Sequence, residues 1–355
     1  MSRKNGAWLK EGVTTVMRGS GVIASRLELF SKVDKGRADS YGLGMPRISL
    51  VTPTFRQAAT LRETIESVLG QDHRDLEYWV IDAGSQDGTV EMLREYEGDP
   101  RFHWISEPDK GQSDAINKGL ARCTGEIFNW INSDDYLAPG ALTRVAEAFE
   151  KNPHAEIVSG VTAEFRDPSR EEFNRVRLQL RSSAEASIVV GVFCQPSTFW
   201  RTAIMREIGV DTGLHYVMDW DLWVRYLARY GQRNVVLLDD LLAHYRHHAA
   251  AKTTTGSAQF YDEAKTVYHN LALTIGAPEE FLLREAEARP GWQRRDFVLG
   301  PGFDSDRYLG CYAERMVRTW RSKDRALART WLRRAWAHKP WITPWRVKMA
   351  LRLMR

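Results

Sequence analysis

From Arg47 to about Gly160, short apolar runs alternate with stretches in which apolar residues recur at helical spacing. Ile48–Thr52, Leu76–Asp82, Phe102–Ser106, Glu126–Ile131 and Ile157–Val161 are short, and several are nearly continuous in apolar residues, which predicts buried parallel strands. Between them, Leu61, Ile65, Val68 and Leu69 share one helical face, and Leu142, Val145, Ala146 and Phe149 share another. Val90 with Leu93, and Ala115, Ile116, Gly119 and Leu120, predict two more helices. Strand and helix in alternation predict a doubly wound α/β sheet with right-handed crossovers. Residues 161–255 mix strand-like segments with a helix signal at Leu222, Trp223, Tyr226 and Leu227, and the chain beyond is largely helical. Residues 1–45 form a polar N-terminal extension with one amphipathic helix, ending in Tyr41-Gly-Leu-Gly-Met-Pro46.

At 355 residues with 43% hydrophobic positions and 13 tryptophans, the chain has the apolar content for a large core, which excludes disorder of the whole. Its longest apolar stretches fall far short of the roughly 20 residues of a membrane-spanning helix. Met1–Lys10 lacks the apolar run of a secretory signal, so a cytoplasmic location is expected. Cys123, Cys194 and Cys311 are odd in number and far apart, which suits buried thiols rather than a disulfide framework or a metal pair. The net charge of +4 conceals an asymmetry: residues 315–355 hold 13 basic residues and one acidic, and the other 314 hold 37 and 45. An acidic body thus carries a basic tail.

In an open α/β sheet, ligands bind beyond the carboxyl ends of the strands, so the residues that follow each apolar run are the candidates for chemistry. They are Thr52-Pro-Thr-Phe55, Asp82-Ala-Gly-Ser85, Glu107-Pro-Asp-Lys-Gly111 and Asn132-Ser-Asp-Asp135. The second also suits a turn with a helix N-cap. No GxGxxG or GxxxxGK[ST] occurs at these ends, which disfavours a nicotinamide dinucleotide site and a P-loop. Two adjacent carboxylates, Asp134 and Asp135, repel each other after an apolar strand and call for a cation; hard Mg²⁺ or Mn²⁺, with phosphate oxygens completing the shell, answers that need.

The chain here resembles the family 2 glycosyltransferases, nucleotide-sugar enzymes of the GT-A fold. The likeness lies in Ile48-Ser-Leu-Val-Thr-Pro-Thr-Phe55, Thr64-Ile-Glu-Ser-Val-Leu-Gly-Gln71, Val80-Ile-Asp-Ala-Gly-Ser-Gln-Asp-Gly-Thr89, the stretch Ser106–Gly119, Thr124-Gly-Glu126 and Asn132-Ser-Asp-Asp135. It implies a Rossmann-like mixed sheet flanked by helices over residues 46–255, followed by a helical region at 256–355. It further implies that Pro53 and Thr54 border the nucleoside and that Asp82 accepts a hydrogen bond from its base, uracil foremost. Asp109 and Lys110 would lie near base or phosphates. Asp134 would contact the ribose or the metal, Mn²⁺ or Mg²⁺, and Asp135 would ligate it directly. Asn132 stands where the family's Asp-x-Asp motif has its first aspartate. Met218-Asp-Trp-Asp221 resembles the acidic motif ahead of an acceptor-side helix, with Asp219 as the base of an inverting transfer and Asp221 orienting its neighbours. Gln195 and Trp220 would lie on the acceptor side, Arg246 on the leaving diphosphate, and His248 on metal or phosphate. These last two also suit a polar surface loop.

The implied substrates are a nucleotide-sugar donor and a glycan or lipid-linked acceptor in surface polysaccharide synthesis. A non-catalytic nucleotide-sugar or carbohydrate binder on the same scaffold is the alternative. In the tail, Leu327, Trp331 and Ala335 share a helical face with Leu332 and Trp336 alongside, edged by Arg329, Arg333 and Arg334. That pattern suits peripheral attachment to an anionic membrane surface, or packing of the tryptophans on the body. No nucleic-acid signature occurs, and the acidic body would repel a polyanion, so no nucleic-acid partner is expected.

Overall fold

A computed structural model describes residues 45–249, 251–252, 256–338 and 344–354. The N-terminal extension and Trp341 lie outside the described residues, as does Arg355. Strands β1 (Ile48–Thr54), β2 (Leu76–Asp82), β3 (Phe102–Ser106) and β4 (Ile127–Trp130) alternate with helices α1 (Ala58–Leu69), α2 (Thr89–Arg94) and α3 (Gln112–Arg122). There follow β5 (Tyr136–Leu137), α4 (Ala141–Lys151), β6 (Ile157–Arg166), β7 (Glu171–Arg177), α5 (Ala184–Val190), β8 (Thr198–Arg201), α6 (Thr202–Ile208), α7 (Met218–Tyr230) and β9 (Val235–His247). The C-terminal region folds as α8 (Ser257–Thr274), α9 (Ser305–Trp320), α10 (Arg325–Ala337) and α11 (Pro344–Met354).

The nine strands make one mixed sheet in the order β3-β2-β1-β4-β8-β6-β9-β5, with β7 paired to β6. β1 to β4 are parallel, whereas β8 runs antiparallel to both β4 and β6. The pleat divides the core. Ile48 and Leu50 of β1 pack on the side of α1 and α4, while Val51 packs on the side of α3 and α7. Gly119 lets α3 lie on β1, because a Cβ there would stand 2.6 Å from both Cγ atoms of Val51.

The Val51 side is continuous with the C-terminal region. One apolar cluster runs from Val51 through Trp200 and Trp223 to Tyr268, Tyr312, Trp331 and Leu353. Trp331, Leu332 and Ala335 are therefore turned inward, with Trp331 edge-on to Phe281. Burial of these large apolar groups outweighs exposure of one helical face to a membrane. Trp336 stays outside, 47% exposed. No helix among the described residues is long and apolar enough to cross a membrane.

Candidate active site

The carboxyl ends of β1, β2 and β3 align Thr54, Asp82 and Ser106 through the strand register. Asp82 is buried, and its Oδ2 accepts from the backbone N–H of Gly84 and Ser85 and from the Ser106 hydroxyl. Gly84 makes that turn at φ +81°, a conformation costly for a side chain. Among the described residues, neither Asp82 Oδ1 nor the neighbouring Thr54 Oγ1 has a hydrogen-bond partner, although both are buried. Buried polar atoms are rarely left so. Pro53 is buried beside them. Asp109, half-buried, accepts from Gly111 N at 2.7 Å; burial raises its pKa, and the Asp82 charge adds to that. Lys110 is exposed, and its N–H donates to Asp114.

Beyond β4 the chain turns through Asn132–Asp135 against the end of β9. Asp135 is buried, its Oδ1 accepting from Arg246 N at 3.0 Å and its Oδ2 from the Asn132 amide at 3.2 Å. Burial, with the Asp134 charge beside it, pushes its pKa well above the ordinary carboxylate range. Asp134 Oδ2 instead meets His248 Nε2 at 3.0 Å, with both side chains partly accessible. The sequence marks Asp135 as the direct metal ligand; here its two oxygens serve the loop, and Asp134 with His248 forms the accessible pair. No group of three or more His, Cys, Asp or Glu that could hold a metal occurs among the described residues.

Arg246, expected on the leaving diphosphate, is held by groups of the protein itself. Its guanidinium is 5% exposed; Nε donates to Asp134 O at 2.8 Å, Nη1 to Asp167 at 3.0 Å, and Nη2 to Glu63. A buried guanidinium needs carboxylates around it, and these two make it a brace behind the acidic loop.

Beside this loop opens a cavity of about 600 Å³, lined in part by Asn132, Gln112, Gln195, Asp219 and Lys252. Asp219 stands in the first turn of α7, half-buried, with Oδ1 accepting from Trp220 N at 2.8 Å. Burial raises its pKa, opposed by that hydrogen bond and by Lys252. Asp221, two residues on, is buried and ties Arg225 at 2.7 Å; the guanidinium then holds the carbonyls of Ile208 and Gly209. Gln195 lines the cavity with its amide nitrogen fixed on Trp130 O. Trp220, expected toward the acceptor, packs against Tyr268 of α8 at 4.9 Å between ring centroids and does not line the cavity. The apolar face of α8 draws the indole out of the site.

Asp82 and Asp134 do not line this cavity either. Asp82 lies two strands along the same edge, and Asp134 borders the cavity through Asn132, whose amide oxygen accepts from Gln112 Nε2 at 2.7 Å.

Glu263 was not marked by the sequence. This buried carboxylate of α8 accepts from the backbone N–H of His215, Tyr216 and Val217, directly before α7, and is paired with Arg289. It fixes the approach to Asp219 from 46 to 48 residues away, where no local pattern could reveal it.

Residues 49–208 match the family model described as Glycosyl transferase family 2. They form a family 2 glycosyltransferase domain. Among curated relatives of the chain is an uncharacterized glycosyltransferase of Rickettsia typhi, 26% identical over 225 residues, 60% of this chain and 68% of the relative. Another, of Nostoc sp., is 25% identical over 257 residues, 67% of this chain and 76% of the relative. Chondroitin synthase of Escherichia coli is 33% identical over 109 residues, 30% of this chain and 16% of its own length. In fold, the chain resembles S. aureus TarS residues 1–349 in complex with UDP, with a TM-score of 0.53 at 16% identity over 83% of this chain and 89% of that one.

Proposed function

We propose that the enzyme is an inverting glycosyltransferase that moves a sugar from a nucleoside diphosphate, UDP foremost, to a hydroxyl of a glycan or lipid-linked acceptor in surface polysaccharide synthesis. The observation that carries this reading is Asp219: a carboxylate of raised pKa on the wall of a cavity that reaches the acidic loop after β4. Asp219 takes the acceptor proton as the acceptor oxygen attacks C1 of the sugar from the face opposite the diphosphate. The C1–O bond to phosphate breaks with its electron pair, and the configuration inverts. Asp82 Oδ1 and Thr54 Oγ1 lie ready to take a base or ribose donor, and an ionised carboxylate that can only accept favours the N–H edge of uracil. Pro53, Asp109 and Lys110 border that nucleoside, and Gln195 faces the acceptor.

Asp134 and His248 supply one oxygen and one nitrogen donor, which fits Mn²⁺ or Mg²⁺ with phosphate oxygens and water filling the other positions. When bound, such an ion would neutralise charge on the diphosphate. Polysaccharide synthesis draws support from the local likeness to chondroitin synthase. We assign catalysis to residues 46–255 and a supporting role to 256–355, and a cytoplasmic enzyme on the inner membrane face accords with a basic tail. A pure binder is disfavoured because binding alone gives no reason to bury Asp219 beside the acceptor space. The test is Mn²⁺-dependent hydrolysis or transfer with a panel of nucleotide sugars: turnover with a UDP-sugar supports the reading, and binding without turnover under any donor and acceptor replaces it with the binder.

A further inference from the structure

Arg246 is committed to Glu63 and Asp167, so it is not the side chain that would join the divalent ion in meeting the charge that develops on the leaving diphosphate. Lys252 follows β9 and lines the same cavity as Asp219 and Asn132. Its Nζ donates to Gln112 Oε1 at 2.8 Å and to His215 O at 3.1 Å, and it lies 6.0 Å from the centre of the Tyr216 ring. Both hydrogen bonds go to neutral oxygens. An ammonium has three protons, and neither of the two hydrogen bonds described for Lys252 goes to a carboxylate, which leaves the group able to take an anion. Gln112 in turn donates to Asn132, which ties Lys252 to the loop of Asp134 and Asp135 through one continuous hydrogen-bonded path. Desolvation lowers the Lys252 pKa, and the charges of Glu263, Asp134 and Asp219, none of which takes either hydrogen bond, oppose that shift.

We propose that Lys252 is a further catalytic residue whose ammonium binds the terminal phosphate of the leaving nucleoside diphosphate. The inference rests on the donor reading above. As the C1–O bond breaks, the electron pair stays on the phosphate oxygen and adds one negative charge to the diphosphate. Lys252 stabilises that charge without giving up a proton, which is a gain larger in the transition state than in the bound donor.

The experiment compares wild type, Lys252→Met and Lys252→Arg by calorimetric titration with UDP and with UMP in the presence of Mn²⁺, and by transfer kinetics. Lys252→Met is expected to weaken UDP about 10-fold or more and leave UMP within about 2-fold, because only UDP carries the terminal phosphate. Transfer kcat falls about 100-fold, and Lys252→Arg restores most of both. A merely structural lysine would weaken UDP and UMP together, and that outcome overturns the inference, as does a Lys252→Met enzyme with native UDP affinity and kcat. A wild type that binds neither UDP nor GDP removes the donor reading itself, a failure seen before any variant is made.

Discussion

In its proposed role as acceptor base, the half-buried Asp219 has two measurable consequences. A base must be ionised to act, so the acid limb of the kcat/KM profile is expected above the pH at which an ordinary aspartate titrates, in the direction of its raised pKa. Asp219→Asn is expected to lower transfer at least 100-fold while calorimetry still finds donor binding. Stability moves the other way. A folded pKa above the unfolded one means that the native state holds its proton longer, so this group's contribution is most favourable at low pH and is lost as pH rises through the folded value. At neutral pH the asparagine variant should melt no lower than the parent. Asp82→Asn is expected to weaken nucleoside binding about 10- to 100-fold, read by calorimetry, since an amide nitrogen at Oδ1 would meet a donor with a donor. Asp82 and Asp134 stand out in the sequence because each follows an apolar run within a local run of polar residues, and Asp219 stands out by its place in Met218-Asp-Trp-Asp221. Arg246 could not be read that way: the carboxylates that claim its guanidinium lie 79 and 183 residues distant.

At the scale of elements, the five strands foreseen between Arg47 and Gly160 are present because buried parallel strands leave a plain apolar signature. β7, Glu171-Glu-Phe-Asn-Arg-Val-Arg177, is largely exposed and polar, so its pairing to β6 leaves little periodic signal. β9 is also hard to read, since only Leu242, Ala243 and Arg246 of its 13 residues are buried, yet it delivers Arg246 and leads directly into His248. The approach to α7 depends on Glu263, and Glu263→Ala strands three backbone donors and Arg289. Loss of such a buried, paired carboxylate costs roughly 3–5 kcal/mol, to be read in urea unfolding. The conservative Glu263→Gln should recover part of it. Gly119→Ala tests the seating of α3 on β1: with a methyl driven into Val51, overpacking of about 1–3 kcal/mol is expected in the same assay, with little change in donor affinity at temperatures where the variant is folded.

On the scale of the molecule, the charge division read from the sequence persists, but most of the tail's apolar face is spent on the body. What remains outside on α10 and α11 is Trp336, Val347 and Leu351, with Arg333 and Arg352 among the exposed basic residues. Attachment to an anionic membrane would therefore be governed by charge. Sedimentation with phosphatidylglycerol vesicles is expected at low salt and is expected to fall steeply as salt screens the basic residues; no binding at low salt removes the membrane proposal. The cluster from Val51 to Leu353 carries a different lesson. Trp220 and the turn before α7 are gripped from α8, so the helix bearing Asp219 is anchored in part on the C-terminal region. A recombinant that joins residues 46–255 to the rear portion of a relative would inherit mismatched halves of one interior. Chimeras intended to exchange acceptor preference should keep α7 and α8 from the same parent.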